Sequence, residues 1–271
     1  MKKTIFLIMT SLCLFFSCSG SKYFYRPNKQ LTAIAVDSAI VTKTFLNNSE
    51  NKKISITHIL STSENHTDVT ILFIPPNGGN SSILAKLIQP LINAGYDAYL
   101  FDYEGYGESE GKADNTNVLK DAQMVLDYVT ANKKNNENLL VWGFSLGGNL
   151  AVKLAFENQS KIDVLVIEGA FTSHRNIAYV VAPKLLKWTA KLIQSPYPSE
   201  KFIKDIHLPV FIAHSINDKV CPFFMGKILY DNANNPNFFL QLSGDHCYGL
   251  LQESDSYIEN LKLFLIQNKI K

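Results

Sequence analysis

From Val69 the chain becomes a short, nearly continuous apolar run that ends at Ile74, just before Pro75. A run of that kind fits a strand buried on both faces, the usual state of a strand inside a parallel sheet. The segment beyond Pro75 constrains the fold most. Ile83, Leu84, Leu87, Ile88, Leu91 and Ile92 form one apolar stripe at helical spacing, with Gly95 placed to cap it. The alternation then repeats. Strands are expected at Ala98 to Phe101, Leu139 to Trp142, Val164 to Ile167, Val210 to Ala213 and Phe238 to Leu242. Helices are expected around Val118 to Val129, Asn149 to Phe156, Phe224 to Tyr230 and Tyr257 to Gln267. Ahead of all these, Ile40 to Leu46 and Ile54 to Leu60 alternate apolar with polar residues, as a half-exposed antiparallel pair would. Strands alternating with helices predict an α/β architecture, a parallel sheet with helices on both faces. In such sheets the site lies beyond the carboxyl ends of the strands.

Composition adds mostly exclusions. With 14 Gly, 10 Pro and 4 Cys in 271 residues, the chain is not collagen-like, disordered or a disulfide scaffold. Its formal charge of +2 is too small to suggest nucleic acid as a partner. That charge also belongs to the first segment. Met1-Lys2-Lys3 is a basic start, and Thr4 to Phe16 is rich in Ile, Leu and Phe but too short to span a bilayer comfortably. This is the layout of a secretory signal. The run Phe15-Phe16-Ser17-Cys18 resembles a bacterial lipobox, which predicts a signal over residues 1–17 and lipidation of Cys18. The alternatives are an ordinary signal cut near Ser19 or Gly20, or an uncleaved anchor. Removing the two lysines of residues 1–17 from the 26 basic residues leaves 24, matched by 24 acidic ones. Residues 18–38 are expected as a tether, and residues 39–271 as one domain.

Ten of the 14 glycines fall just after expected strands or beside motif residues. Three of them frame a serine. Leu139 to Trp142 leads into Gly143-Phe144-Ser145-Leu146-Gly147-Gly148, a G-x-S-x-G pattern in strand, tight turn and helix. The pattern alone is weak, since composition gives roughly 0.1 chance match in a chain this long. The surrounding strand and helix make it specific. A serine hydroxyl needs a base, and the base needs an acid to orient it. His246 lies just after the strand that ends at Leu242, and Asp218 follows the strand that ends at Ala213. The chain order Ser145, Asp218, His246 is that of the nucleophile-elbow hydrolases. His58, His66, His174 and His207 are misplaced for the role. His214 is expected to hydrogen-bond within the acid loop, and Asp245 is too near His246 in sequence to reach its ring nitrogen. Asp102 and Glu104 are expected to hold the loop running to Gly111.

Pro76-Asn77-Gly78-Gly79-Asn80, Asp102 to Gly111 and the Ser145 elbow together resemble the α/β-hydrolase superfamily, in the branch containing serine-aminopeptidase-like hydrolases, over roughly Ile54 to Lys271. The resemblance implies an eight-stranded, mostly parallel sheet with a short helical lid at residues 172–206. It carries the catalytic roles over to Ser145, Asp218 and His246. It also implies an oxyanion hole from the amides of Asn77 and Leu146, and no cofactor or metal. One departure stands out: Pro75-Pro76 replaces the family's usual His-Gly, and prolines have no N–H to donate. In the lid, Leu185, Trp188 and Leu192 share one helical face and Lys184, Lys187 and Lys191 another, an amphipathic pattern. Its apolar side is expected to pack on the core, or else to line an acyl site or face a membrane. Cys221 and Cys247, close after Asp218 and His246, are either a disulfide or two thiols. The functional expectation is a lipid-anchored serine hydrolase of the cell envelope, outside the cytoplasm, cleaving small or lipid-like acyl esters. A peptidase or thioesterase would use the same residues. A non-catalytic surface binding lipoprotein on the same scaffold is the alternative of another class.

Overall fold

The computed structural model describes residues 24–270. The expected signal segment and Cys18 lie outside them. Eight strands form one sheet: β1 (Ala39–Asn47), β2 (Lys53–Ser61), β3 (Val69–Ile74), β4 (Asp97–Phe101), β5 (Asn138–Phe144), β6 (Val164–Glu168), β7 (Val210–Ser215) and β8 (Asn237–Leu242). Their spatial order is β1-β2-β4-β3-β5-β6-β7-β8. Pairing is antiparallel at β1/β2 and β2/β4 and parallel everywhere else. This is the eight-stranded, mostly parallel sheet of the α/β-hydrolase fold.

Period-two alternation divides each central strand between two cores. Along β3, Leu72 and Ile74 enter one core, and Val69, Ile71 and Phe73 enter the other. The first core is covered by α3 (Asn117–Asn132), α4 (Leu146–Glu157) and α7 (Phe223–Asn232). The second is covered by α1 (Ser81–Leu84), α2 (Gln89–Asn93) and α9 (Ser254–Gln267). The remaining helices are α5 (His174–Val181), α6 (Ser199–Phe202) and α8 (Gly249–Gln252).

Two local expectations differ from the structure. The single helix read over Ile83 to Ile92 is broken: a 3-10 turn, Ala85–Ile88, separates α1 from α2. Pro90 explains the break, because it has no N–H for a continuous ladder and is tolerated only in the first turn of α2. In the lid, α5 is followed by a 3-10 helix over Lys184–Leu192, and the apolar row of that helix does not pack on the core. Leu185, Leu186, Trp188 and Leu192 are exposed, and the residue turned inward is Ala190.

Residues 24–38, expected as a tether, lie against the domain at several points. Tyr25 is buried, and its hydroxyl meets those of Tyr197 at 2.9 Å and the Asn115 side chain at 3.0 Å. Backbone carbonyls of Asn28 and Gln30 accept from Asn80 Nδ2, and Gly107 N–H donates to Asn28. These contacts cover the loops after β3 and β4. Among the described residues, no helix is long and apolar enough to cross a membrane.

Candidate active site

The strand order reverses about β3, whose neighbours are β4 and β5. The register sets Ile74 beside Gly143 and Phe144 beside Glu168. The loop after β3, the turn after β5 and the loop after β6 therefore leave the sheet side by side, at a topological switch point.

Ser145 occupies the turn after β5 with φ 52° and ψ −118°, in the left-handed region that a non-glycine residue enters only when its surroundings hold it there. A Cβ on Gly147 would lie 2.2 Å from the Ile74 carbonyl oxygen, and one on Gly143 would lie 2.4 Å from that of Gly147. Glycine at both positions lets α4 begin hard against β3 and β5. The Ser145 N–H donates to the Glu168 carbonyl at 2.9 Å, which ties the turn to β6.

His246, on the loop after β8, places Nε2 3.0 Å from Ser145 Oγ and Nδ1 2.6 Å from Asp218 Oδ2. Asp218, on the loop after β7, is fixed through its other oxygen by the amides of Val220 and Cys221, at 2.8 and 2.7 Å. Burial alone would push its carboxyl up. The hydrogen bond and charge of His246, with those two amides, outweigh burial and hold it below the usual carboxylate range. His214 lies behind this pair, 2.8 Å from the Cys221 carbonyl and 3.5 Å from Asp218. It braces the acid loop, as expected, and burial lowers its pKa. The structure thus brings Ser145, His246 and Asp218 into one hydrogen-bonded line. Among the described residues, Asp245 forms no hydrogen bond with the His246 ring; its side chain accepts from Gln252.

The amides of Asn77 and Leu146 donate to no acceptor among the described residues. Asn77 is held through the following peptide: its carbonyl accepts from the Arg26 amide and the Tyr106 hydroxyl, both at 2.9 Å. Tyr103 donates to the Pro75 carbonyl at 2.9 Å. These contacts fix the loop that carries the double proline. Asn80 caps α1 by accepting from the amides of Ser82 and Ile83. Asp102 accepts from the Ser81 amide at 2.6 Å, so the loop after β4 also supports the loop after β3.

Cys221 and Cys247 are free thiols. Cys247 has φ 56° and directs its Sγ to the Glu168 carbonyl at 3.5 Å. Burial pushes both thiols up, away from the reactive thiolate. Among the described residues, no group of three or more His, Cys, Asp or Glu side chains is placed to hold a metal ion. A groove of about 550 Å³ lies between α2 and α9, away from Ser145, Asp218 and His246, none of which lines it.

Two residues of this region carry no signal in the sequence. Glu168 ends β6 fully buried, and its Oε1 accepts the Gly249 amide at 3.0 Å, three residues beyond His246. Burial drives its carboxyl up to about 7. The Asp218 charge adds to that shift, and the Gly249 amide opposes it. Gly169 comes next with φ 61°, where a Cβ would lie 2.8 Å from Cys247 Sγ and 3.1 Å from the His246 ring. An acid closing a buried strand and a glycine after it are visible in the sequence. Nothing there separates them from ordinary loop residues.

Known proteins resemble the chain to different extents. The family model described as serine aminopeptidase, S33 matches residues 65–205. The chain is 32% identical over 178 residues to the alpha/beta hydrolase domain-containing protein WAV2 of Arabidopsis thaliana, covering 60% of this chain and 58% of that one. It is 30% identical over 182 residues to the lysophosphatidylserine lipase ABHD12 of Xenopus tropicalis, covering 60% of this chain and 46% of that one. Less than two thirds of either relative is therefore spanned. The esterase Pf2001 of Pyrococcus furiosus superposes with a TM-score of 0.71 at 15% identity, over 90% of this chain and 98% of its own.

Proposed function

Because the chain belongs to the serine aminopeptidase S33 family of α/β-hydrolases, we propose that it hydrolyses acyl esters through Ser145, His246 and Asp218. The observation that carries this reading is the line Ser145 Oγ, His246 Nε2, His246 Nδ1, Asp218 Oδ2, with steps of 3.0 and 2.6 Å. Its polarity comes from the partners. A carboxylate held in the charged form accepts from Nδ1–H, which leaves Nε2 free to accept the serine proton. Ser145 Oγ attacks the acyl carbonyl as its proton passes to His246. The imidazolium, stabilised by Asp218, returns that proton to the leaving alcohol. Water then takes the serine's place on the acyl group by the same proton route. The free amides of Asn77 and Leu146 supply the oxyanion donors, and the N-terminus of α4 adds a favourable dipole. Losing one such donor costs about 3 kcal/mol of transition-state stabilisation, so the contacts from Arg26, Tyr106 and Tyr103 that fix the Pro75-Pro76 loop are functionally significant.

An ester of a lipid or small acyl group is preferred over a peptide. One relative is described as a lysophosphatidylserine lipase, and the lid exposes Leu185, Trp188 and Leu192. A fluorophosphonate probe tests the mechanism. Wild type is expected to label at least roughly 10³ times faster than Ser145→Ala, on the scale seen when a nucleophile is removed. Equal rates would leave the non-catalytic binding lipoprotein as the reading. A nitrophenyl ester series against peptide amides then ranks the substrates, with esters expected to lead.

The location is read from the sequence before residue 24. We propose export under the signal of residues 1–17 and lipid attachment at Cys18, outside the cytoplasm. Each buried acyl CH2 contributes about 0.8 kcal/mol, so more than one chain gives stable anchoring. Cys18→Ser should move the protein from the membrane to the soluble fraction. A wild type that is already soluble would overturn the anchor.

A further inference from the structure

The lid turns its apolar side outward. In a 3-10 helix, side chains three apart eclipse, so Leu185 and Trp188 share one row, which Lys191 ends. That row points outward, with Leu185 89% and Trp188 56% exposed, while Ala190 faces the domain at 3%. Val181, Leu186 and Leu192 extend the exposed apolar surface, and Tyr179 on α5 lies 4.6 Å from Lys187 Nζ. An exposed patch of that kind marks an interaction surface. Its charge is one-sided. Between Glu168 and Glu200 the sequence has no acidic residue, but it has Arg175, Lys184, Lys187 and Lys191. None of these three lysines forms an ion pair among the described residues.

The position of the N-terminal segment indicates what covers this patch. The Phe24 ring packs 4.6 Å from that of His174, the first residue of α5, and Tyr25 meets Tyr197 at the lid's far end. The chain upstream, with the proposed lipid attachment at Cys18, is therefore connected to the domain beside the lid. Leucines and a tryptophan fringed by lysines match the two layers of an anionic bilayer surface. Apolar side chains enter the acyl boundary, Trp prefers the interface, and lysines extend to the headgroups. We propose that the segment Tyr179 to Leu192 docks on an anionic lipid bilayer, so that the Ser145 site opens toward the membrane surface. This surface is independent of the Ser145 chemistry.

The protein carries its own reporter. Of its two tryptophans, Trp142 is fully buried and Trp188 is exposed. The mature chain, from residue 18, is mixed with phosphatidylglycerol or phosphatidylcholine vesicles, with plain or chain-brominated lipid, and Trp emission is read. Trp188→Phe defines the Trp142 background. The Trp188 signal is expected to fall at least about twofold with brominated phosphatidylglycerol and to change little with phosphatidylcholine. Ser145→Ala should behave as wild type, so a failure of the catalytic reading would not affect this result. Lys184→Glu, Lys187→Glu and Lys191→Glu combined should abolish the quenching while the N-terminal segment remains attached. Equal emission from brominated and plain vesicles would overturn the proposal. So would equal quenching of the charge-reversed protein. Shielding of Trp188 from aqueous iodide that needs no vesicles and grows with protein concentration would assign the patch to a second copy of the chain, and would also overturn it.

Discussion

The Ser145 turn follows β5 and the lid follows its neighbour β6, yet they are specified in opposite ways. At the turn every neighbour belongs to the chain itself. Gly143 and Gly147 leave room for carbonyls closer than any Cβ permits, and Ser145 is held at φ 52° by Glu168 and the start of α4. At the lid the largest side chains face away from the protein, and a 3-10 helix replaces the α-helix that its pattern suggests. The turn is specified by internal sterics. The lid shows what its sequence is for only when something outside the chain covers it.

That contrast predicts where one methyl group matters most. Gly147→Ala places its Cβ against the backbone oxygens of Ile74 and Pro75, at 2.2 and 2.4 Å, and backbone cannot turn aside as a flexible side chain can. The first turn of α4 must move away from β3. The expected loss is about 2–4 kcal/mol of stability, read as a fall of several degrees in Tm. Displacing the Leu146 amide from the Asn77 loop should lower kcat/KM roughly 100-fold, as ångström misplacements do. A variant that melts and turns over as wild type would show that the turn is as forgiving as the lid.

The same contrast explains what the sequence made legible. Strands such as β3 and β5 are apolar because both faces are buried, so their runs could be read directly. The Ser145 elbow could be read because a strained turn accepts few residue types. Asp218 and His246 followed from chain order, since each is placed by the end of a strand. The break at Pro90 was visible as a residue but concealed by an unbroken apolar stripe. The packing of Tyr25 and Arg26 was not legible, because polar hydrogen bonds between distant loops leave no periodicity. Glu168 was hidden for the same reason: its partner, Gly249, lies 81 residues away and contributes only an amide.

The two regions also differ in what protons do to them, and this gives the smallest and most selective test. Burial holds the Glu168 carboxyl at about 7, above its ordinary 4.5, so the folded chain keeps a proton that the unfolded chain releases. Its contribution is full below pH 4.5 and is lost as pH rises through 7. Asp121, whose side chain accepts the Glu104 amide, is raised by burial to about 7 and acts in the same direction. In the lid, His174 is enclosed by Phe24, Phe171 and Tyr197, and burial lowers it from 6.5 to about 4. There the unfolded chain takes the proton first, so stability is lost as pH falls from 6.5 toward 4. Glu168→Gln keeps an oxygen for the Gly249 amide and removes the charge. It should raise stability at pH 8 by roughly 1–3 kcal/mol and leave pH 4.5 nearly unchanged. His174→Phe should flatten only the acid side, where Phe24 and Tyr197 continue to pack on the new ring. Melting temperature against pH separates the two. If Glu168→Gln follows the wild-type curve above pH 6, the carboxylate behind Ser145 is not the group that the fold keeps neutral.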